Sequence, residues 1–82
     1  MSDTNTTENT QTLGQRRVKA EFNPSKTDLV DQIKNKSAEL IDLIEKVDEG
    51  QVRSGEQRRV MALAQTNVET ACMYAVKALF TR

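Results

Sequence analysis

The segment Val60–Phe80 constrains this chain most, because its pattern predicts one helix that is apolar on more than one side. One line of small and apolar residues follows spacings of 3, 4, 3, 4 and 3: Met61, Ala64, Val68, Ala71, Ala75 and Ala78. A second apolar line lies on a neighbouring face: Val60, Leu63, Cys72, Val76 and Leu79. A surface helix usually carries a single apolar stripe. This helix therefore needs more than one neighbour to cover it.

An earlier segment supplies one such neighbour. Its apolar and small residues repeat in the 3,4 pattern of helices that pack as in coiled coils: Val30, Ile33, Ser37, Leu40, Ile44 and Val47. Two alternative start signals precede it, Asn23 followed by a proline and Ser25 followed by an aspartate three residues on. Gly50 is placed to cap its end in a left-handed conformation.

A short connection joins the two predicted helices. Ser54 and Gln57 have the spacing of a capping box, which marks the start of the second helix. We therefore predict helices over about 25–48 and 55–80, and a turn this short makes them antiparallel neighbours.

Two helices alone leave apolar positions uncovered, among them Leu29, Ile41, Leu63, Val76, Leu79 and Phe80. A chain of 82 residues buries a modest core, and small domains commonly add disulfides, a metal or oligomerisation. The single cysteine excludes an intrachain disulfide, and without histidine Cys72 has no metal-ligand partners. We therefore predict an all-α, antiparallel two-helix hairpin with a flexible N-terminal arm, assembled into a homo-oligomer.

The N-terminal part divides into two segments. Residues 1–13 are rich in Thr and Asn, so we predict a disordered polar tail, and we assign 14–82 to the helical-hairpin domain. The arm, residues 14–24, contains Arg16, Arg17 and Lys19. Such a run is either a solvated basic segment or an anion contact, since Arg binds phosphate in bidentate geometry. Phe22 beside it is either a core residue or a stacking surface.

Several functions are excluded by composition. The chain has no histidine and no glycine-rich phosphate loop, and Cys72 lies among apolar residues, so we predict no catalytic residue, no metal and no cofactor. No apolar run long enough for a signal peptide or membrane span occurs, so we expect a cytoplasmic protein. Twelve basic and twelve acidic residues give a formal net charge of zero, which disfavours binding to a nucleic acid polymer.

The residues resemble a known family. The run FNPSKTDLVDQIKNKSAELIDLIEKV, a short turn and ALAQTNVETACMYAVKAL are similar, over about 14–80, to the helical-hairpin proteins with which bacteriophages sequester the nucleotide signals of host immunity. These are the anti-CBASS and anti-Thoeris sponges. The shared features are Phe-Asn-Pro-Ser before Asp31, Ile33 and Lys34, followed by Thr66, Glu69 and Met73, and finally a Val-Lys-Ala ending.

This resemblance implies a hexamer, in the bacterial host cytoplasm, that binds cyclic dinucleotides between paired protomers. Cyclic trinucleotides or cyclic ADP-ribose-type signals are further implied ligands. Lys34 matches a phosphate-contacting lysine, and Phe22 is the nearest match to an aromatic that stacks on a base. Gln65 matches an arginine that serves the trinucleotide pocket of some relatives, so Arg16 and Arg17 would have to supply that charge. The expected ligand-binding residues are Arg16, Arg17, Phe22, Asn23, Ser25, Lys34, Gln65 and Thr66.

Two other functions remain open from the residues alone. The chain is alternatively a small structural or protein-interaction hairpin with no small-molecule ligand. An RNA or DNA binder that uses the basic arm is a third hypothesis, and the zero net charge counts against it.

Overall fold

The computed structural model describes residues 10–23, 27–51 and 53–82, and these contain three α-helices and no strand. Helix α1 spans Leu13–Val18, α2 spans Asp28–Glu45 and α3 spans Gly55–Leu79. The all-α prediction is confirmed. Within the described ranges, no helix has the length and apolar character needed to cross a membrane.

Helices α2 and α3 form an antiparallel hairpin. Arg58, near the start of α3, contacts Glu45 at the end of α2, with 3.2 Å between nitrogen and oxygen. One to two turns on, the Gln65 side chain donates a hydrogen bond to the carbonyl of Ile41 at 3.2 Å. Cys72 then borders the same groove as Ile33. The contacts run in opposite directions along the two helices, as the short connection predicts.

The buried faces of the hairpin agree with the predicted contact lines at Val30 and Met61 and differ from them elsewhere. On α2 they comprise Val30, Lys34, Ala38 and Ile41, and on α3 Met61, Gln65 and Cys72. Leu40 and Val47, on the predicted contact line, are 46% and 53% exposed, and Ile41, which was expected to need another copy, is 0% exposed. The reason is a third helix that covers α2 from a second side.

That third helix is α1, which lies where a flexible arm was expected. Thr12 caps it: the Thr12 hydroxyl accepts from the Gln15 N–H at 3.1 Å, and the Gln15 side chain accepts from the Thr12 N–H at 2.9 Å. Val18 joins Ala38, Ile41 and Cys72 in the core, with Leu13 packed beside them. Residues 13–18 are therefore a packed part of the fold, and the prediction of a flexible arm is wrong for residues 14–18.

Gly14 sets how closely α1 approaches α2. A Cβ atom added there would lie 2.1 Å from the Ala38 carbonyl oxygen, so no other residue fits without moving the helices apart. The Gly14 N–H also donates to the Asp42 carboxylate at 2.8 Å. This bond satisfies one of the N–H groups left free at a helix N-terminus, and it ties α1 to α2.

The connection between α2 and α3 begins earlier than predicted, because α2 ends at Glu45 and a series of turns follows. Gly50 has the positive φ predicted for it, 80°. The Ser54 hydroxyl accepts from the Gln57 N–H at 3.0 Å, as the capping signal predicts. The Gln57 side chain accepts from the N–H of Arg53 at 2.9 Å, one residue before the predicted partner. Val52 lies outside the described residues.

Candidate anion-binding site

The turn that ends α1 positions the candidate site. Lys19 has a left-handed backbone, φ 54°, which is uncommon for residues other than glycine. The Lys19 N–H donates to the carbonyls of Gln15 and Arg16. The Phe22 N–H donates to the Lys19 carbonyl at 2.9 Å. The chain reverses here, so the basic residues of α1 and the ring of Phe22 come to lie on one end of the hairpin.

Lys34, on α2, holds this turn through hydrogen bonds. Its ammonium group donates to the carbonyl of Lys19 at 3.1 Å and also to the carbonyl of Phe22. The residue is only 8% exposed, and its nitrogen lies 5.3 Å from the centre of the Phe22 ring. Lysine is rarely buried without partners. Two of its three N–H donors thus hold the 19–22 turn, and one is left for another acceptor.

Between α1, α2 and α3 lies a cavity of about 410 Å³, which we call the basic cavity. Its lining residues are Arg17, Val18, Lys19, Lys34, Glu69, Met73 and Val76. Three side chains are cationic, one is a carboxylate, and Val18, Met73 and Val76 supply apolar wall. The volume is within the usual range of small-molecule pockets.

An ion pair crosses the basic cavity from α1 to α3. Arg17 donates to the same Glu69 carboxylate oxygen from Nε at 2.9 Å and from Nη2 at 2.7 Å. Nη2 also donates to the Thr66 hydroxyl at 3.3 Å. The Arg17 and Glu69 side chains are 25% and 33% exposed, so solvent screens the pair only in part.

A second cavity of about 360 Å³ adjoins the first, because Lys19 lines both. We call it the Phe22 cleft, and it is lined by Gln11, Arg16, Lys19, Glu21 and Phe22. Phe22 is 62% exposed, so its ring is accessible. An exposed ring beside cations is the arrangement on which a nucleobase stacks while its phosphate is neutralised.

The two cavities bring together five of the residues expected from the sequence. Arg16 and Phe22 line the Phe22 cleft, Arg17 and Lys34 line the basic cavity, and Thr66 contacts Arg17 at its edge. Phe22 is exposed in the single chain and is not a core residue there, so its role as a stacking surface stays a prediction.

Two of the other expected residues, Asn23 and Gln65, lie outside the two cavities. The Asn23 amide donates to the carbonyl of Thr27 at 2.9 Å and to Asp31 at 3.0 Å, which organises the start of α2. Gln65 is 5% exposed and donates to the Ile41 carbonyl and, at 2.9 Å, to Glu45, so it belongs to the hairpin interior. Ser25 lies outside the described residues.

Lys19, Glu69 and Met73 line the basic cavity, and none of them is among the ligand-binding residues expected from the sequence. Glu69, Met73 and Val76 are spaced i, i+4 and i+7, so they share one face of α3, and this spacing was a usable signal. In the sequence Lys19 belongs to the short basic run that is either a solvated segment or an anion contact. The left-handed backbone that places Lys19 between the cavities cannot be predicted from the presence of a lysine in the sequence.

The family comparison agrees with this architecture. A family model described as Acb2/Tad1, hairpin domain, matches residues 15–80 of the 82-residue chain. The chain belongs to the Acb2/Tad1 hairpin family. This is the family of anti-CBASS and anti-Thoeris sponges, so the resemblance found in the sequence is confirmed. No significant match was found among curated proteins or among solved structures.

Membership in the Acb2/Tad1 family defines a role at family level. That role is to sequester cyclic nucleotide signals, and it involves no conversion of the bound molecule. The match begins inside α1 and continues past the end of α3, so it spans all the residues that line the basic cavity.

Proposed function

We propose that this protein is a phage sponge that binds cyclic oligonucleotide second messengers in the host cytoplasm and holds them uncleaved, which blocks CBASS-like signalling. The observation that carries the proposal is the Acb2/Tad1 family match over residues 15–80. Cyclic dinucleotides are the first expected ligands, and cyclic trinucleotides and cyclic ADP-ribose-type signals are the further candidates.

The chemistry of the two cavities supports this ligand class. A cyclic dinucleotide carries two phosphates and two flat bases. Lys19 and Arg17 are cations beside the basic cavity, and charge-assisted hydrogen bonds to phosphate are among the strongest in proteins. Phe22 offers an accessible ring to a base, and Met73 offers an apolar surface to the ligand's faces.

Sequestration without reaction also fits the residues. The chain has no histidine, and its one thiol, Cys72, is buried in the helix packing. A ligand held by cations and a ring, away from any activated nucleophile, would be released intact.

We further propose that the protein acts as a homo-oligomer, and specifically as a hexamer, the state that the family resemblance implies. In the single chain, large apolar side chains stay exposed on both hairpin helices and on the turn that follows α2: Leu40, Leu43, Val47, Val60 and Leu63. Both cavities are open to solvent in one chain, so sister chains would complete the enclosure of a bound ligand.

Calorimetry with a panel of cyclic di- and trinucleotides and cyclic ADP-ribose signals tests the proposed function. We expect saturable binding of at least one, and recovery of the intact ligand by mass spectrometry after the protein is denatured. Absence of binding throughout the panel at micromolar protein would refute the proposal. It would favour the alternative, a structural or protein-interaction hairpin, for which the apolar groove between Val47 and Val60 is the available surface.

A substitution at Lys19 tests whether the ligand binds in the two described cavities. Lys19→Asn removes the cation that lines both, and asparagine tolerates the left-handed backbone there. We expect affinity to fall roughly tenfold, the value of one charge-assisted hydrogen bond. Lys46→Asn, an exposed lysine at the end of α2, is the matched control and should bind as the wild type does. Equal affinities for the two variants would remove Lys19 from the site.

A further inference from the structure

The walls of the Phe22 cleft present both kinds of hydrogen-bonding group beside an accessible ring. Glu21 supplies a carboxylate, which accepts hydrogen bonds, and Arg16 supplies a guanidinium, which donates them. The Phe22 side chain lies in the same walls and is exposed. A flat ligand that stacks on Phe22 therefore meets a charged acceptor and a charged donor within one cleft.

Glu21 is the unexpected residue in a cleft proposed to hold part of an anion. Within the described residues it forms no ion pair, although Arg16 and Lys19 line the same cleft. A carboxylate repels phosphate, so neutralisation of the ligand gives Glu21 no role. Its two acceptor oxygens are suited instead to the uncharged part of a nucleotide, the edge of the base.

Guanine has the donors and acceptors that match these two side chains. Its N1–H and its N2 amino group are neighbouring donors, which the two oxygens of a carboxylate can accept together. Its O6 and N7 are neighbouring acceptors, the pair to which arginine donates in bidentate contacts. Adenine mismatches both side chains, because its N1 is an acceptor and its N6 amino group is a donor.

We infer that Glu21 is a specificity-determining residue, which binds N1–H and the N2 amino group of guanine and makes the Phe22 cleft select guanine over adenine. Arg16 favours the same base through O6 and N7. The inference rests on the proposed function, because it concerns the base that a cyclic dinucleotide places in this cleft. Lys19, which lines both cavities, then serves phosphate, and Glu21 serves the base.

The size of the preference follows from the exposure of Glu21. A site that hydrogen-bonds a ligand group rejects an analogue without that group, because the polar side chain is left unpaired. Bidentate contacts to base edges discriminate by roughly tenfold or more. Glu21 is exposed in the single chain, so water competes for its oxygens, and we expect a preference near the lower end of that range.

Calorimetry with three cyclic dinucleotides tests the inference. All three carry two phosphates, and both of their bases are guanine, hypoxanthine or adenine. Because the ligands have equal charge, repulsion between Glu21 and phosphate cancels in the ratios of their affinities. We expect the wild type to bind the guanine ligand roughly tenfold more tightly than the adenine ligand. The hypoxanthine ligand, which keeps N1–H and O6 and lacks the N2 amino group, should lie between them.

Glu21→Gln is the deciding variant. Glutamine keeps the size of the side chain and replaces one acceptor oxygen by an amide donor, so it can pair with adenine, which offers an acceptor and a donor side by side. We expect the preference for guanine over adenine to be lost and the guanine and hypoxanthine ligands to bind equally. Glu39→Gln makes the same change of charge at an exposed position of α2 that lines neither cavity, and it should keep the wild-type ratios.

The outcomes separate this inference from the proposed function. If the wild type binds no member of the larger cyclic nucleotide panel, the proposed function itself fails. If it binds some of that panel but none of the three dinucleotides, or binds them without preferring guanine, the sponge function stands and the role of Glu21 is wrong. The same holds if Glu21→Gln changes all three affinities by one factor, since charge or folding would then explain the change, or if Glu39→Gln also loses the preference.

Discussion

Lys34 shows how one buried side chain joins the fold to the candidate site. It lies on the inner face of α2, yet its ammonium group donates to the carbonyls of Lys19 and Phe22 in the turn after α1. This turn also places Lys19 beside both cavities and the Phe22 ring in the wall of the Phe22 cleft. A change at Lys34 should therefore alter the shape of the site as well as any direct contact that its third donor makes.

Lys34→Met is expected to destabilise the protein. Methionine fills similar space but leaves the Phe22 carbonyl without the Lys34 donor and the Lys19 carbonyl with the Phe22 N–H alone. A buried acceptor left unsatisfied costs about 1–3 kcal/mol. Urea unfolding followed by circular dichroism measures the loss. Lys36→Met, at an exposed lysine two residues away, should change stability by less than about 0.5 kcal/mol. Equal stabilities for the two variants would show that Lys34 does not hold the turn.

At the scale of the element, α1 is the helix on which the site depends. It has only six residues, and a helix this short is not stable by itself in water. Its stability comes from the Thr12 cap, from the Gly14–Asp42 bond and from the packing of Val18 on α2. Arg16 and Arg17 are held in position only while these contacts persist.

Gly14→Ala should detach or displace α1. The new methyl group would meet the Ala38 carbonyl oxygen at 2.1 Å, and backbone at that point cannot move aside without separating the helices. Overpacking of this kind costs about 1–3 kcal/mol, measured as a fall in the free energy of unfolding. Gly55→Ala is the control, because a Cβ there meets nothing within 4 Å, and it should be neutral or stabilising. A stable Gly14→Ala protein would contradict the close approach of α1.

The two long helices could be predicted from sequence because their apolar residues repeat over many turns. Helix α1 was missed because six residues carry too little periodicity, although Thr12 and Gln15 have capping-box spacing and could have revealed it. The inner faces were misassigned for a related reason. Lys34 and Gln65 are polar, so a pattern based on apolar residues excludes them. Both donate to backbone carbonyls, and such acceptors cannot be identified from the residue types in the sequence.

At the scale of the whole molecule, charged side chains gather in two groups, one toward each end of the hairpin. The basic cavity lies between α1, the first half of α2 and the second half of α3. Near the turn, Arg58 bridges Glu45 at 3.2 Å and Asp48 at 3.4 Å, and Gln65 donates to Glu45 as well. This second network closes the opposite end of the hairpin, and it should make stability depend on pH.

The hydrogen bond from Gln65, and then that from Arg58, lower the pKa of Glu45 below 4.5. As pH falls, Glu45 is protonated in the unfolded chain before it is protonated in the folded chain. The stabilisation from Glu45 is therefore complete above its pKa in the unfolded chain, and it is lost as pH falls through its pKa in the folded chain. The side chain is 41% exposed, so we expect less than about 1 kcal/mol. Urea unfolding between pH 7 and pH 3 should show a smaller pH dependence for Glu45→Gln than for the wild type. Parallel curves would contradict this assignment.

Assembly is the remaining property of the whole molecule. At the turn end, Leu43, Val47 and Val60 are 61%, 53% and 50% exposed, and an apolar groove of about 410 Å³ runs between Val47 and Val60. Burial of such surface by sister chains would stabilise an oligomer by about 25 cal/mol for each Å² covered. We therefore expect the wild type to sediment as an oligomer at micromolar concentration and to dissociate on dilution.

Val60→Glu places a charge in that groove, so it should shift the sedimentation coefficient toward the monomer while circular dichroism shows unchanged helix content. Gln32→Glu adds the same charge at an exposed position of α2, and it should sediment as the wild type does. If both variants dissociate, general repulsion is responsible, and if neither does, another surface forms the interface. A wild-type chain that remains a compact monomer would mean that the exposed apolar side chains serve a different partner, and the open cavities would then have to enclose their ligand without sister chains.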